Sequence, residues 1–184
     1  MKKLAILALL ALELAVGGCG NSTPQNSNTT TAAGNWEALL SGGIGAASEL
    51  NFVTTFTVTD TTGVSNQSLD ITGFSFFNAG ACFANGVGAS TETGSATLNT
   101  SGTNQVTGTL TYTVVSVTPG GNTLSLTGNL TGTSNGTTTT TGTLSSGVVS
   151  GTWTLTGDSN CTGSSGPVMG TFLMCQGADT CTVP

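Results

Sequence analysis

The sequence contains no histidine and no arginine, and its only two lysines, Lys2 and Lys3, stand at its start. Each absence removes a class of chemistry. Without histidine there is no Ser-His-Asp or Cys-His catalysis and no imidazole metal site. With no cationic side chain after residue 3 there is no Schiff-base lysine and no arginine clamp on phosphate. Nucleic acid is excluded as a partner, because nothing can neutralise its phosphates. Charge of either sign is scarce, with eight carboxylates and a net charge of −6 in 184 residues. Aromatics make up 5% of the chain, with a single tyrosine, Tyr112. This inventory points away from an enzyme, and neither a cofactor nor a metal site is expected.

The first residues carry an export pattern. Met1-Lys2-Lys3 is a positive start, Leu4 to Leu12 is an unbroken apolar run, and small residues follow before Cys19. These features describe a secretory signal peptide. The run is too short to span a bilayer, which needs about 20 apolar residues. Val16-Gly17-Gly18-Cys19 resembles the lipobox of bacterial lipoproteins. That resemblance implies acylation and cleavage at Cys19, with the lipid as the membrane partner. Gly20 stands where an inner-membrane retention signal would have aspartate, so the resemblance implies the outer membrane, facing the periplasm or the cell surface. Two or three acyl chains would anchor the protein stably, because each buried CH₂ contributes about 0.8 kcal/mol. Residues 1–18 are thus expected to be a lipoprotein signal peptide, and residues 19–34 a lipid-anchored flexible tether. Asn21 to Gly34 is polar and small, without apolar periodicity.

Residues 35–184 read as one β-domain. Apolar residues alternate with threonine, as half-buried strands require. Leu50, Phe52, Phe56 and Val58 share one parity, as do Val106, Leu110, Tyr112 and Val114. Strands are predicted at 35–40, 50–60, 68–77, 81–85, 91–99, 105–117, 122–133, 137–145, 148–156 and 167–175. Turn signals separate them, including Thr118-Pro119-Gly120-Gly121, Ser134-Asn135-Gly136 and Ser145-Ser146-Gly147. Consecutive hairpins make an all-β antiparallel meander, closed or nearly closed into an up-and-down β-barrel of 8–10 strands. A β-sandwich is the alternative. An even strand count lets the first and last strands pair antiparallel and removes the exposed edges.

A short unit, apolar-x-Gly-x-apolar, recurs around Gly108, Gly128, Gly151 and Gly170, with a weaker copy at Gly142. Each glycine falls on the apolar parity in mid-strand. Glycine there marks tight bending or close backbone approach, which a closing barrel needs. Gly34-Asn35-Trp36 resembles the Gly-x-Trp opening of lipocalins and avidin-like barrels. Trp36 is expected to plug one end of the barrel.

Besides Cys19 the chain has Cys82, Cys161, Cys175 and Cys181. Four cysteines in an exported domain imply two disulfides with three possible pairings. The strand count sets Cys82 and Cys161 at the same end of the sheet, while Cys175 and Cys181 close a short local ring. The seven carboxylates after Cys19 are Glu37, Glu49, Asp60, Asp70, Glu92, Asp158 and Asp179. They are read as solvated loop charges, with Asp158-Ser159-Asn160 as a turn.

The functional expectation is a lipid-anchored cell-envelope protein with a non-catalytic structural or adhesive domain. The alternative is a carrier of a small apolar or neutral ligand inside the barrel. Phe52, Phe56, Tyr112, Trp153 and Phe172 would then line the cavity. A filled interior would favour the first reading, a connected cavity the second.

Overall fold

A computed structural model of the chain describes residues 29–60, 66–78, 81–118, 120–137, 140–163, 166–177 and 181. The Thr/apolar alternation becomes strand almost throughout. Short β1 (Thr30–Thr31) precedes β2 (Gly34–Ser41) and β3 (Asn51–Thr57). They are followed by β4 (Gln67–Ser68), β5 (Asp70–Asn78), β6 (Ser90–Thr100) and β7 (Gln105–Ser116). The chain continues through β8 (Thr123–Ser134), β9 (Gly142–Thr156) and β10 (Val168–Gln176). Among the described residues helix is confined to a 3-10 turn at Gly45–Glu49 and one turn, α1, at Ser159–Thr162. Asp158 starts α1 by accepting a hydrogen bond from the Asn160 backbone N–H at 2.9 Å.

The strands form one antiparallel sheet in the order β4-β6-β7-β8-β9-β10-β2-β3-β5. One continuous ladder excludes the sandwich. The last long strand, β10, pairs antiparallel with β2 from Thr171↔Ser41 to Gln176↔Trp36. The sheet therefore curls into a nearly closed barrel with a single unsealed seam. That seam lies between β5 and β6. At its near end β4 pairs with β6 through Gln67↔Ala96 and Ser68↔Ser95. The Leu69 N–H then donates to the Gly94 carbonyl at 3.0 Å. Beyond this contact β5 follows β3 instead. Thr72 and Phe77 are extra residues on β5, each without a partner on β3. Such bulges bend a strand and increase its twist. They account for β5 leaving β6 before the seam is sealed.

Two predicted strand limits are corrected. Residues 81–85 form no strand. Cys82 is bonded to Cys161, and the buried Phe83 ring stacks on Phe76 with centroids 4.5 Å apart. These anchors hold the segment across the barrel end, off any ladder, and so the strand expected to fill the β5–β6 gap is missing. The strands expected at 137–145 and 148–156 are one strand, β9. Ser145-Ser146-Gly147 is a bulge in it, not a turn, with two residues opposing Gly132 and Ser146 at φ 53°. The bulge makes room for Trp36, since a Cβ on Gly147 would lie 2.6 Å from the indole ring.

The tether boundary also moves. Residues 29–34, expected in the flexible segment, belong to the fold. β1 pairs in parallel with the start of β9, and the buried Thr30 hydroxyl shares a 2.8 Å hydrogen bond with Ser134. Burial of Ala32 and the bond from its N–H to the Val58 carbonyl tie this segment down. Residues 1–18, expected to be a signal peptide, and Cys19 lie outside the described residues.

The recurrent glycines are points of close backbone approach. Gly151 on β9 faces Gly128 on β8 in register. A Cβ on Gly151 would fall 2.0 Å from the Thr127 carbonyl oxygen, and one on Gly128 would fall 2.8 Å from the Phe172 ring. The glycine pair is thus a floor on which Phe172 lies. On the next strand a Cβ at Gly170 would meet the Ser41 carbonyl oxygen at 1.9 Å. That same oxygen accepts a 3.0 Å hydrogen bond from Trp153 Nε1.

Candidate functional site

The five aromatics that the carrier alternative would set around a cavity lie in the packed core of the barrel. Phe52, Phe56, Tyr112, Trp153 and Phe172 are all buried in one continuous core. Trp36 stacks on Phe56 at 4.9 Å, and Phe52 stacks on Tyr112 at 5.8 Å. Tyr112 shares a buried 3.0 Å hydrogen bond with Thr54. This satisfies its hydroxyl within the core.

The cysteines pair as their placement implied. The Sγ atoms of Cys82 and Cys161 are 1.93 Å apart, and those of Cys175 and Cys181 are 2.15 Å apart. The first bridge pins the β5–β6 connection to α1. Asn122 reinforces it, donating from Nδ2 to the Cys82 carbonyl and accepting from the Asp158 N–H, both at 2.8 Å.

The seam holds the feature that the sequence reading passed over. A groove of about 330 Å³ opens between the strands, with Ile71, Phe74, Val87, Ser90 and Glu92 among its walls. Register explains why a carboxylate is there. Glu92 sits opposite Val114, and Gly94 opposite Tyr112, both partners buried and inward-facing. Glu92 therefore shares the inward parity of Gly94, Ala96 and Leu98. It is a half-buried carboxylate on the core side of its strand, not a solvated loop charge. Ser90 Oγ donates to Glu92 Oε1 and holds it in place. The sequence carried this signal: Glu92 interrupts the apolar parity of its own strand.

Phe74 is half-buried at the same opening. Its ring lies 5.1 Å from Phe52 and 6.3 Å from Tyr112, and meets Phe76 edge-on at 4.9 Å. Behind the groove, Ser116 is the register partner of Ser90, and its buried hydroxyl has no hydrogen-bond partner. Among the described residues no cluster of three or more His, Cys, Asp or Glu side chains converges. A second groove, of about 400 Å³, lies at a barrel end beside Ile44, Pro167 and Met169, and carries no titratable side chain.

Tyr112 supplies a spectroscopic test of this geometry. Burial pushes its phenol well above its ordinary value; the Thr54 hydrogen bond opposes the shift and the Glu92 charge adds to it. A raised folded pKa favours the protonated, folded state. Its stabilisation is complete below the unfolded value, about pH 10, and is lost as pH rises above it. Because Tyr112 is the only tyrosine, phenolate absorbance reports this one residue. Phenolate is expected to appear well above pH ~10, together with loss of native circular dichroism. A simple titration near the ordinary value, with native dichroism retained, would contradict the buried placement.

Comparisons with protein-family models, with curated proteins and with solved structures find no match to this chain.

Proposed function

We propose that the chain is a lipid-anchored protein of the bacterial outer membrane, held by acylated Cys19, whose β-barrel is a non-catalytic structural or adhesive module. The observation that carries this reading is the filled barrel. Trp36, Phe52, Phe56, Tyr112 and Trp153 occupy the space in which an interior carrier would hold its ligand. The export pattern at residues 1–19 supports the anchor. The lack of any histidine, arginine or late lysine supports a role without catalysis.

The outer face supports adhesion. Thr111, Thr127, Thr152, Thr171 and Ser41 are register neighbours on five consecutive strands. All five are exposed. They make a neutral transverse row of hydroxyls at the strand spacing of about 4.8 Å. Such a surface can hydrogen-bond polar, uncharged material without attracting counter-ions.

The test is fractionation of cells expressing the full chain and its Cys19→Ala variant. The wild-type chain is expected in the membrane fraction, and the variant as a soluble or unprocessed species. Unchanged membrane fractionation of the variant would overturn the lipid anchor. Purification of the wild-type barrel with a stoichiometric apolar ligand would overturn the filled-module reading in favour of a carrier.

A further inference from the structure

We infer that the open β5–β6 seam is a binding site for a small organic monocation, an ammonium group on a compact apolar body, with Glu92 as its counter-ion and Phe74 as its apolar wall. This goes beyond the structural role, because it assigns a ligand to the barrel wall and needs neither a lumen nor the lipid.

Charge complementarity selects the ligand. Glu92 is turned inward by register and is half-buried in the groove. A carboxylate partly withdrawn from water gains from an opposite charge placed beside it. No lysine, arginine or histidine follows Lys3 in the sequence, so the described domain has no side-chain cation to provide one. Ser90 provides a hydrogen bond but no charge. A positive group from outside completes the site.

The surroundings select an organic cation over a metal ion. Among the described residues lining the groove Glu92 is the only carboxylate, whereas calcium takes six to eight oxygen ligands. Across the groove β5 presents the half-buried side chains of Ile71 and Phe74, with Thr72 and Gly73 between them. Phe74 belongs to a ring cluster with Phe52 and Tyr112, and aromatic faces attract ammonium groups within about 6 Å. Approach is open at the rim, because Gly86 and Gly88 have nothing within 4 Å of where a side chain would begin. The groove's 330 Å³ is near the lower bound of ligand pockets, about 300–1,000 Å³, and suits a compact ligand.

The probe is benzyltrimethylammonium, titrated calorimetrically into the full chain in a neutral detergent. Saturable one-to-one binding is expected, with Kd below about 1 mM. Phenylacetate, of similar body and opposite charge, should not bind. Glu92→Gln keeps the shape and the Ser90 contact but removes the charge, and is expected to weaken binding at least about tenfold. Phe74→Leu should weaken it roughly threefold or more, while Glu37→Gln on β2 should leave it unchanged. No saturable binding by the wild-type chain, or equal binding of phenylacetate, would overturn the site without any variant. Equal affinity in folded Glu92→Gln would overturn it independently.

Discussion

Joint replacement of Cys82 and Cys161 by alanine is expected to lower the melting midpoint by roughly 8–16 °C, from a loss of about 4 kcal/mol in a domain of this size. The bridge spans a sequence separation of 79, against 6 for Cys175–Cys181. In the chain-entropy account, closing the longer loop restricts the unfolded chain more. The shorter bridge is accordingly worth only about 2 kcal/mol. The long bridge also acts on the folded state. It fastens the β5–β6 connection, which has no ladder of its own, to the barrel end where Phe83 and Asn122 are buried. Thermal melts of the two double variants under non-reducing conditions provide the check. A larger loss from Cys175/Cys181 than from Cys82/Cys161 would mean that the connection is held chiefly by packing. Far-ultraviolet dichroism of the Cys82/Cys161 variant should remain that of a β protein, since neither cysteine lies in a ladder.

Gly151→Val is expected to prevent accumulation of folded protein, and Gly151→Ala to cost about 3 kcal/mol, at the upper end of ordinary overpacking. The Gly151 Cβ would run into the backbone of β8: the Thr127 carbonyl oxygen at 2.0 Å, the Gly128 Cα at 2.5 Å and the Thr127 carbonyl carbon at 2.8 Å. Side chains can rotate away, but these atoms belong to β8 and move only with its ladder. Relief would require separating β8 from β9, whose pairing runs from Thr123↔Thr156 to Ser134↔Leu144. Gly102 is the matched control. It lies in the turn between β6 and β7, and a Cβ there meets nothing within 4 Å. Gly102→Ala should be within about 0.5 kcal/mol of wild type. Chemical denaturation of the three alanine and valine variants beside the parent measures both effects. A Gly151→Ala variant as stable as Gly102→Ala would mean that the two strands are not pressed together as described.

The all-β class and the inward set were legible in the sequence, because period-two alternation is a local property. Phe52, Phe56, Tyr112, Trp153 and Leu155 declare their face by parity alone. The mid-strand glycines announced close approach for the same reason, since a missing side chain on the apolar parity has few other uses. Counting strand reversals placed Cys82 and Cys161 at one end of the sheet, and the two strand corrections leave that placement intact, because losing 81–85 and merging 137–145 with 148–156 removes two reversals. Three matters were decided only in the tertiary structure. Ser145-Ser146-Gly147 has the composition of a turn. It becomes a bulge because Trp36, far away in sequence, occupies the space that Gly147 vacates. Residues 81–85 carry apolar residues enough for a strand, but a disulfide to a distant loop and the Phe76–Phe83 stack draw them across the barrel end. The seam follows from that displacement and from the two extra residues of β5, which cannot be seen without knowing the register with β3. Glu92 shows both sides. Its inward parity is written in Glu92-x-Gly94-x-Ala96-x-Leu98. Whether an inward carboxylate meets packed core or an open groove depends on how two strands far apart in the ladder order come together at the seam.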